Sequence, residues 1–135
     1  MADPFLGQGL RIDGIPYLDA KEAWADVQRG ARLVDLRQPL LVMMKSIDLP
    51  DVIYLDHSRW DCDWRDRPAD VPLVFVDAVG IYSKRAAHFL KAQGRTDVAV
   101  LNGGFEAWQD AGLPTCEDPS KMLQGGCACR MRIVE

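Results

Sequence analysis

The stretch LVFVDAVGIYSKRAAHFL, residues 73 to 90, runs from a short apolar segment through a loop into a helix expected from Ser83; the loop opens at Asp77 and holds Gly80. A strand that feeds a helix N-terminus through a tight loop gathers backbone N–H groups around one point, which suits an anion or a nucleophile. Asp77 stands at the mouth of that seat. Its carboxylate could place its own negative charge where the loop would otherwise hold an anion, with the N–H groups and the helix N-terminus stabilising the ionised form. The plainer reading, which we prefer, is that Asp77 satisfies loop donors that would otherwise be orphaned, a role for which Asp is favoured beside a helix start. An apolar strand ending in Asp is also how some phosphotransfer enzymes present a covalent Asp nucleophile. Those enzymes need a second Asp two residues on to hold Mg²⁺, and Val79 stands there.

The second chemical feature is GGCACR near the C-terminus. In an extended chain Cys127 and Cys129 point to the same side, so both thiols could approach one sulfur donor or one soft metal ion, and Arg130 and Arg132 would favour thiolate. The same residues alternate as in a half-buried strand, in which cysteine acts as a small apolar side chain. The glycine pair Gly125–Gly126 argues for an exposed arm, and the two readings stay level. No CxxC pair is present, and His57 and His88 are the only histidines, so no metal or other cofactor is expected. His88 is expected partly buried in a helix. Cys62 and Cys116 are flanked by acidic residues that disfavour thiolate, which makes them poor nucleophiles. All four cysteines are expected as thiols rather than as a disulfide framework.

The chain of 135 residues, 48% hydrophobic and 27% charged, can bury one ordinary core. A net charge of -4 with no Lys/Arg run gives no pull toward nucleic acid or anionic membrane surfaces. The N-terminus MADPFLGQGL lacks a basic region followed by a long apolar core, and no segment has the length of a membrane span, so the cytoplasm is the expected compartment.

The elements that must position these residues can be read from pattern and punctuation. Asp19 and Glu22 form a capping-box-like start, Ala23, Trp24 and Val27 give a helical apolar face, and Gly30 is a stop. ARLVDL follows as a buried strand, QPLLVMMK as a short helix with Pro39 in its first turn, and DVIYLD as a short strand. HSRWDCDWRDRPADVP reads as loop. Then come strand PLVFV, a helix from Ser83 to Gln93 stopped by Gly94, strand DVAVL, and helix GFEAWQDAG entered through Gly103 and Gly104. Alternating strands and helices imply an α/β fold with a central, mostly parallel sheet and helices on both faces. After Pro114 the pattern fades to a helical turn and a final alternating run. The expected division is an N-terminal extension (1–13), one domain (14–114) and a C-terminal tail (115–135).

LVDLR on a strand, LVFVDAVGIYS as strand, loop and helix start, and VAVLNGGFEAWQDAGLP together resemble the rhodanese-like (sulfurtransferase) family from about Gly14 to Pro114. The resemblance implies a loop of the form CxxGxRS, whose Cys carries sulfane sulfur as a persulfide while loop N–H groups and basic side chains hold the anion. Gly80 and Ser83 match that loop, but Asp77 occupies the Cys position and Tyr82 the Arg position. A carboxylate cannot carry sulfane sulfur, which needs a polarizable nucleophile that can leave again. The GHIPGA-type turn of many members is reduced to Pro50 in SIDLPDVIYLD.

The expectation is therefore a rhodanese-like protein whose loop, Asp77, Ala78, Val79, Gly80, Ile81, Tyr82 and Ser83, recognises a protein partner or a small sulfur-containing anion without persulfide chemistry. The alternative is a sulfur relay on Cys127 and Cys129. A remote third is Asp77-dependent phosphotransfer.

Overall fold

The computed structural model describes residues 5, 7–55, 71–78 and 81–117. Strands β1 (Leu10–Ile12) and β2 (Ile15–Leu18) form an antiparallel hairpin, followed by α1 (Ala20–Gln28), β3 (Arg32–Asp35), α2 (Pro39–Met44), β4 (Lys45–Ile47) and β5 (Ile53–Tyr54). Then come β6 (Leu73–Val76), α3 (Ile81–Ala92), β7 (Val98–Leu101), α4 (Gly104–Asp110) and β8 (Thr115–Glu117). The main sheet has the order β1-β2-β7-β6-β3-β5, parallel except for the β1–β2 hairpin, and β4 pairs antiparallel with β8 in a small second sheet.

The central strands are buried on both faces, so they read as continuous apolar runs rather than as alternation. Along β6, Leu73 and Phe75 enter one core with Ala86, Ala87 and Leu90 of α3. Val74 and Val76 enter the other, with Ala23 of α1 and Phe105 and Trp108 of α4. Helices thus cover both faces, as the α/β reading expects.

Local chemistry accounts for most boundaries. Asp19 and Glu22 complete the capping box, with Glu22 N donating to Asp19 Oδ1 at 2.7 Å and Asp19 N to Glu22 Oε1 at 3.0 Å. Trp108 is fully buried, stands edge-on to Trp24 at 5.9 Å, and donates from Nε1 to the Pro114 carbonyl at 2.9 Å. That bond accounts for the six-residue spacing of Trp108 and Pro114 in this chain: the indole needs a buried acceptor, and the chain turning at Gly112 returns one.

Three features depart from the sequence reading. The β1–β2 hairpin turns through Asp13 and Gly14 at φ 54° and 80°, the two left-handed positions of a two-residue hairpin turn, so the Asp-Gly pair was its unread signal. Helix α3 starts at Ile81, two residues before Ser83, for a reason that lies in the loop and is given below. Residues Thr115–Glu117, where the pattern fades, form β8 against β4.

Candidate functional site

The carboxyl ends of the neighbouring strands β3, β6 and β7 carry Asp35 to Arg37, Asp77 and Gly103–Gly104 to one edge of the sheet. From β6 the chain crosses to β7 on one side, while β3 lies on the other. In open α/β sheets such a reversal of strand order leaves a crevice at the strand ends, where ligands bind.

Asp77 has no exposed surface. Its Oδ2 accepts from the backbone N–H groups of Tyr82 and Ser83, the latter at 3.0 Å. A carboxylate several residues upstream thus caps the first turn of α3, which is why the helix begins before Ser83. The Asp77 carbonyl accepts from Phe105 N at 2.7 Å, tying the loop to the start of α4. This approach requires Gly104: a β-carbon there would stand 2.5 Å from the Asp77 carbonyl oxygen, at a left-handed φ of 62°.

Of the other loop residues, Ala78 follows Asp77, while Ile81, Tyr82 and Ser83 form the first turn of α3. Val79 and Gly80 lie outside the described residues. Ile81 is exposed, and Tyr82 is half-buried against the α3-side core. Ser83 is fully buried, and its Oγ has no hydrogen-bond partner among the described residues.

Sequence reasoning gave no role to Arg37, which the structure places beside the loop. Its Nε and guanidinium nitrogen bond both oxygens of fully buried Asp35 at 2.8 to 3.2 Å, and its Cζ lies 3.8 Å above the Phe105 ring. The Asp35-x-Arg37 spacing at a strand end was the available signal. A buried pair of this kind is held by geometry more than it stabilises, and here it fixes the end of β3 against the start of α4. Arg37 also walls a groove of about 300 Å³ that Leu41, Met44, Lys45, Phe105, Glu106 and Gln109 complete, with Ala78 at its loop end.

The cysteines divide. Cys116 on β8 is 5% exposed and disulfide-bonded, which corrects the expectation that all four are thiols. Its acidic neighbours set thiolate reactivity in an exposed chain, whereas a bond formed in the fold depends on where the chain brings a second sulfur. Cys62, Cys127, Cys129 and His57 lie outside the described residues. His88 is partly buried on α3, as expected. No group of three or more metal-ligating side chains occurs among the described residues, and no helix among them is long and apolar enough to cross a membrane.

A family model described as the rhodanese-like domain matches residues 19–111. A thiosulfate sulfurtransferase GlpE from Pseudomonas syringae is 38% identical over 89 residues, covering 66% of this chain and 82% of that protein. The Vibrio cholerae protein of the same name is 31% identical over 104 residues, covering 76% and 96%. Among solved structures, a rhodanese-related protein from Thermoplasma volcanium has a TM-score of 0.67 at 20% identity, covering 76% of this chain and 98% of that one.

Proposed function

This chain belongs to the rhodanese-like domain family, and within it we propose a binding or regulatory module whose loop holds a carboxylate where members that carry sulfur hold a thiolate. One observation carries the proposal. Asp77, aligned by resemblance with the persulfide Cys, is fully buried and bonds with Oδ2 to the N–H groups of Tyr82 and Ser83. Donors that would serve a bound anion are in use by the protein itself, and the loop keeps its shape without carrying sulfur. A carboxylate buried and held in this way also suits a cap better than a phosphorus nucleophile.

The loop and the groove beside it are the surface offered to a protein partner or a small sulfur-containing anion. Residence in the cytoplasm is part of the same proposal; there the Cys116 disulfide would be open to reduction. The test is thiosulfate-to-cyanide transfer by the unaltered protein, for which we expect negligible turnover. Clear turnover that persists after all four cysteines are replaced would overturn both the mechanism and the reading.

A second reading, a sulfur relay on Cys127 and Cys129, gains support from the chain path. Glu117, the last described residue, pairs with Lys45 on the wall of the groove that ends at Ala78, ten residues before Cys127 in the sequence. Mass spectrometry after exposure to thiosulfate or polysulfide separates the two readings, because added sulfur on Cys127 or Cys129 belongs only to the relay.

A further inference from the structure

A cavity of about 300 Å³ lies at the amino ends of β3 and β5, the opposite end of these strands from Asp77. Trp24 and Val27 of α1 line it together with Leu49 and Val52 of the segment before β5. These four are among the five partly buried apolar side chains packed on the α1-side core, the fifth being Leu113. Trp24 stands edge-on against buried Trp108, so its ring is a fixed surface. Apolar wall left facing water is unfavourable, an apolar guest would relieve it, and the volume is at the small end of the range for small-molecule sites.

Among the described residues, two charged side chains line the cavity, Arg32 and Asp51. The Arg32 guanidinium meets Asp51 Oδ1 at 3.6 Å, too long for a hydrogen bond, and the two side chains are 34% and 70% exposed. An ion pair this open contributes little to stability and is readily exchanged. Its guanidinium offers a planar fork that fits a carboxylate with two parallel hydrogen bonds. A doubly charged phosphate would find one cation with a repelling carboxylate beside it, whereas a single negative charge need only take the place of Asp51.

We propose that this cavity binds a small arylalkyl monocarboxylate, its carboxylate on Arg32 in place of Asp51 and its ring against Trp24, Leu49 and Val52. The aromatic body follows from Trp24, since an edge-on or offset ring contact adds to what area burial alone supplies. The site is separate from the loop and goes beyond the function proposed above; it needs neither sulfur nor a protein partner.

The probe is hydrocinnamate, titrated into the isotope-labelled full-length protein and followed by NMR. Saturable shifts are expected at the Trp24 indole N–H and at the backbone amides of residues 27–33, 49, 51 and 52, with little change at Tyr82 and Ser83. Hydrocinnamyl alcohol, which keeps the ring and lacks the charge, should bind about tenfold more weakly, and Arg32→Gln should weaken hydrocinnamate by about the same factor. The same variant should bind the alcohol as the unaltered protein does, which also shows that it is folded. Asp51→Asn should tighten hydrocinnamate about twofold, because the competitor for Arg32 is gone. Shifts that do not saturate, or that fall elsewhere, overturn the site. Equal binding of acid and alcohol, or an Arg32→Gln variant that holds the acid as tightly, overturns the carboxylate, and an Asp51→Asn variant that fails to tighten it overturns the exchange of partners. None of these readouts involves sulfur or the loop, so a failure here is distinct from a failure of the proposed function.

Discussion

Gly104 and Asp77 are in backbone contact: a β-carbon on Gly104 would stand 2.5 Å from the Asp77 carbonyl oxygen and 2.8 Å from that of Ala78. The next residue, Phe105, donates its N–H to the same Asp77 oxygen. The loop is thus held from behind by α4 and from in front by its own carboxylate. Gly104→Ala is expected to destabilise the protein by about 2 to 4 kcal/mol, combining a left-handed φ with an overpacked contact against backbone that cannot yield cheaply. Gly30→Ala is the control, since it shares a positive φ but has open space around it. Denaturant midpoints that shift equally in the two variants would show that the close approach adds nothing.

The carboxylate side of the clamp is tested by Asp77→Ala. The N–H groups of Tyr82 and Ser83 would lose their charge-assisted acceptor in a buried place, and we expect a loss of about 1 to 2 kcal/mol. Asp77→Asn keeps an acceptor oxygen and should lose less. A melting temperature unchanged in both variants would mean that solvent serves these donors equally well.

What the sequence made legible, and what it hid, follows from the range of the interactions. The helix starting after Asp19 was legible because its cap and its partner are three residues apart. Helix α3 was placed two residues late because its cap comes from Asp77, across a loop that offers no standard capping spacing. Strands β6 and β7 announced themselves as unbroken apolar runs, whereas β4 and β8 are three-residue strands whose partners lie about 70 residues apart, which no local pattern encodes. The same holds for the site. Asp77 was conspicuous by its place at a strand end, whereas Arg37 was signalled only by its two-residue spacing from Asp35, and its seat over Phe105 came from the fold. The disulfide at Cys116 could not be read from acidic neighbours, because it depends on tertiary proximity.

Tyr17 gives a prediction about pH. Its hydroxyl is pushed above the ordinary value of about 10, first by burial and then by the negative charge of Asp13. Because the folded value lies above the unfolded one, the contribution to stability is complete below about pH 10 and is lost as the pH rises through the folded value. Tyr17→Phe should therefore flatten the alkaline limb of the stability profile and leave the neutral region nearly unchanged. Guanidinium unfolding between about pH 8 and 11 would reveal it. An alkaline limb identical in the two proteins would assign the loss to other groups.

The sharpest prediction restores what the loop lacks. Asp77→Cys should place a thiol where the Tyr82 and Ser83 N–H groups and the start of α3 favour a negative charge, so its pKa should fall below the unperturbed value of about 8.5. Sulfur transfer should nevertheless stay feeble, because Tyr82 stands where the family resemblance puts Arg, and thiosulfate would lack a bidentate guanidinium partner. Adding Tyr82→Arg should raise the rate well beyond either single change, since a nucleophile and its anion clamp act as a unit. The double variant gives up the half-buried Tyr82 ring on the α3-side core, so its melting temperature must be followed alongside its activity. Alkylation rate against pH reports the thiol, and thiocyanate release reports transfer, in both single variants and the double. A thiol at position 77 that titrates at or above about 8.5 would show that the loop is no anion seat.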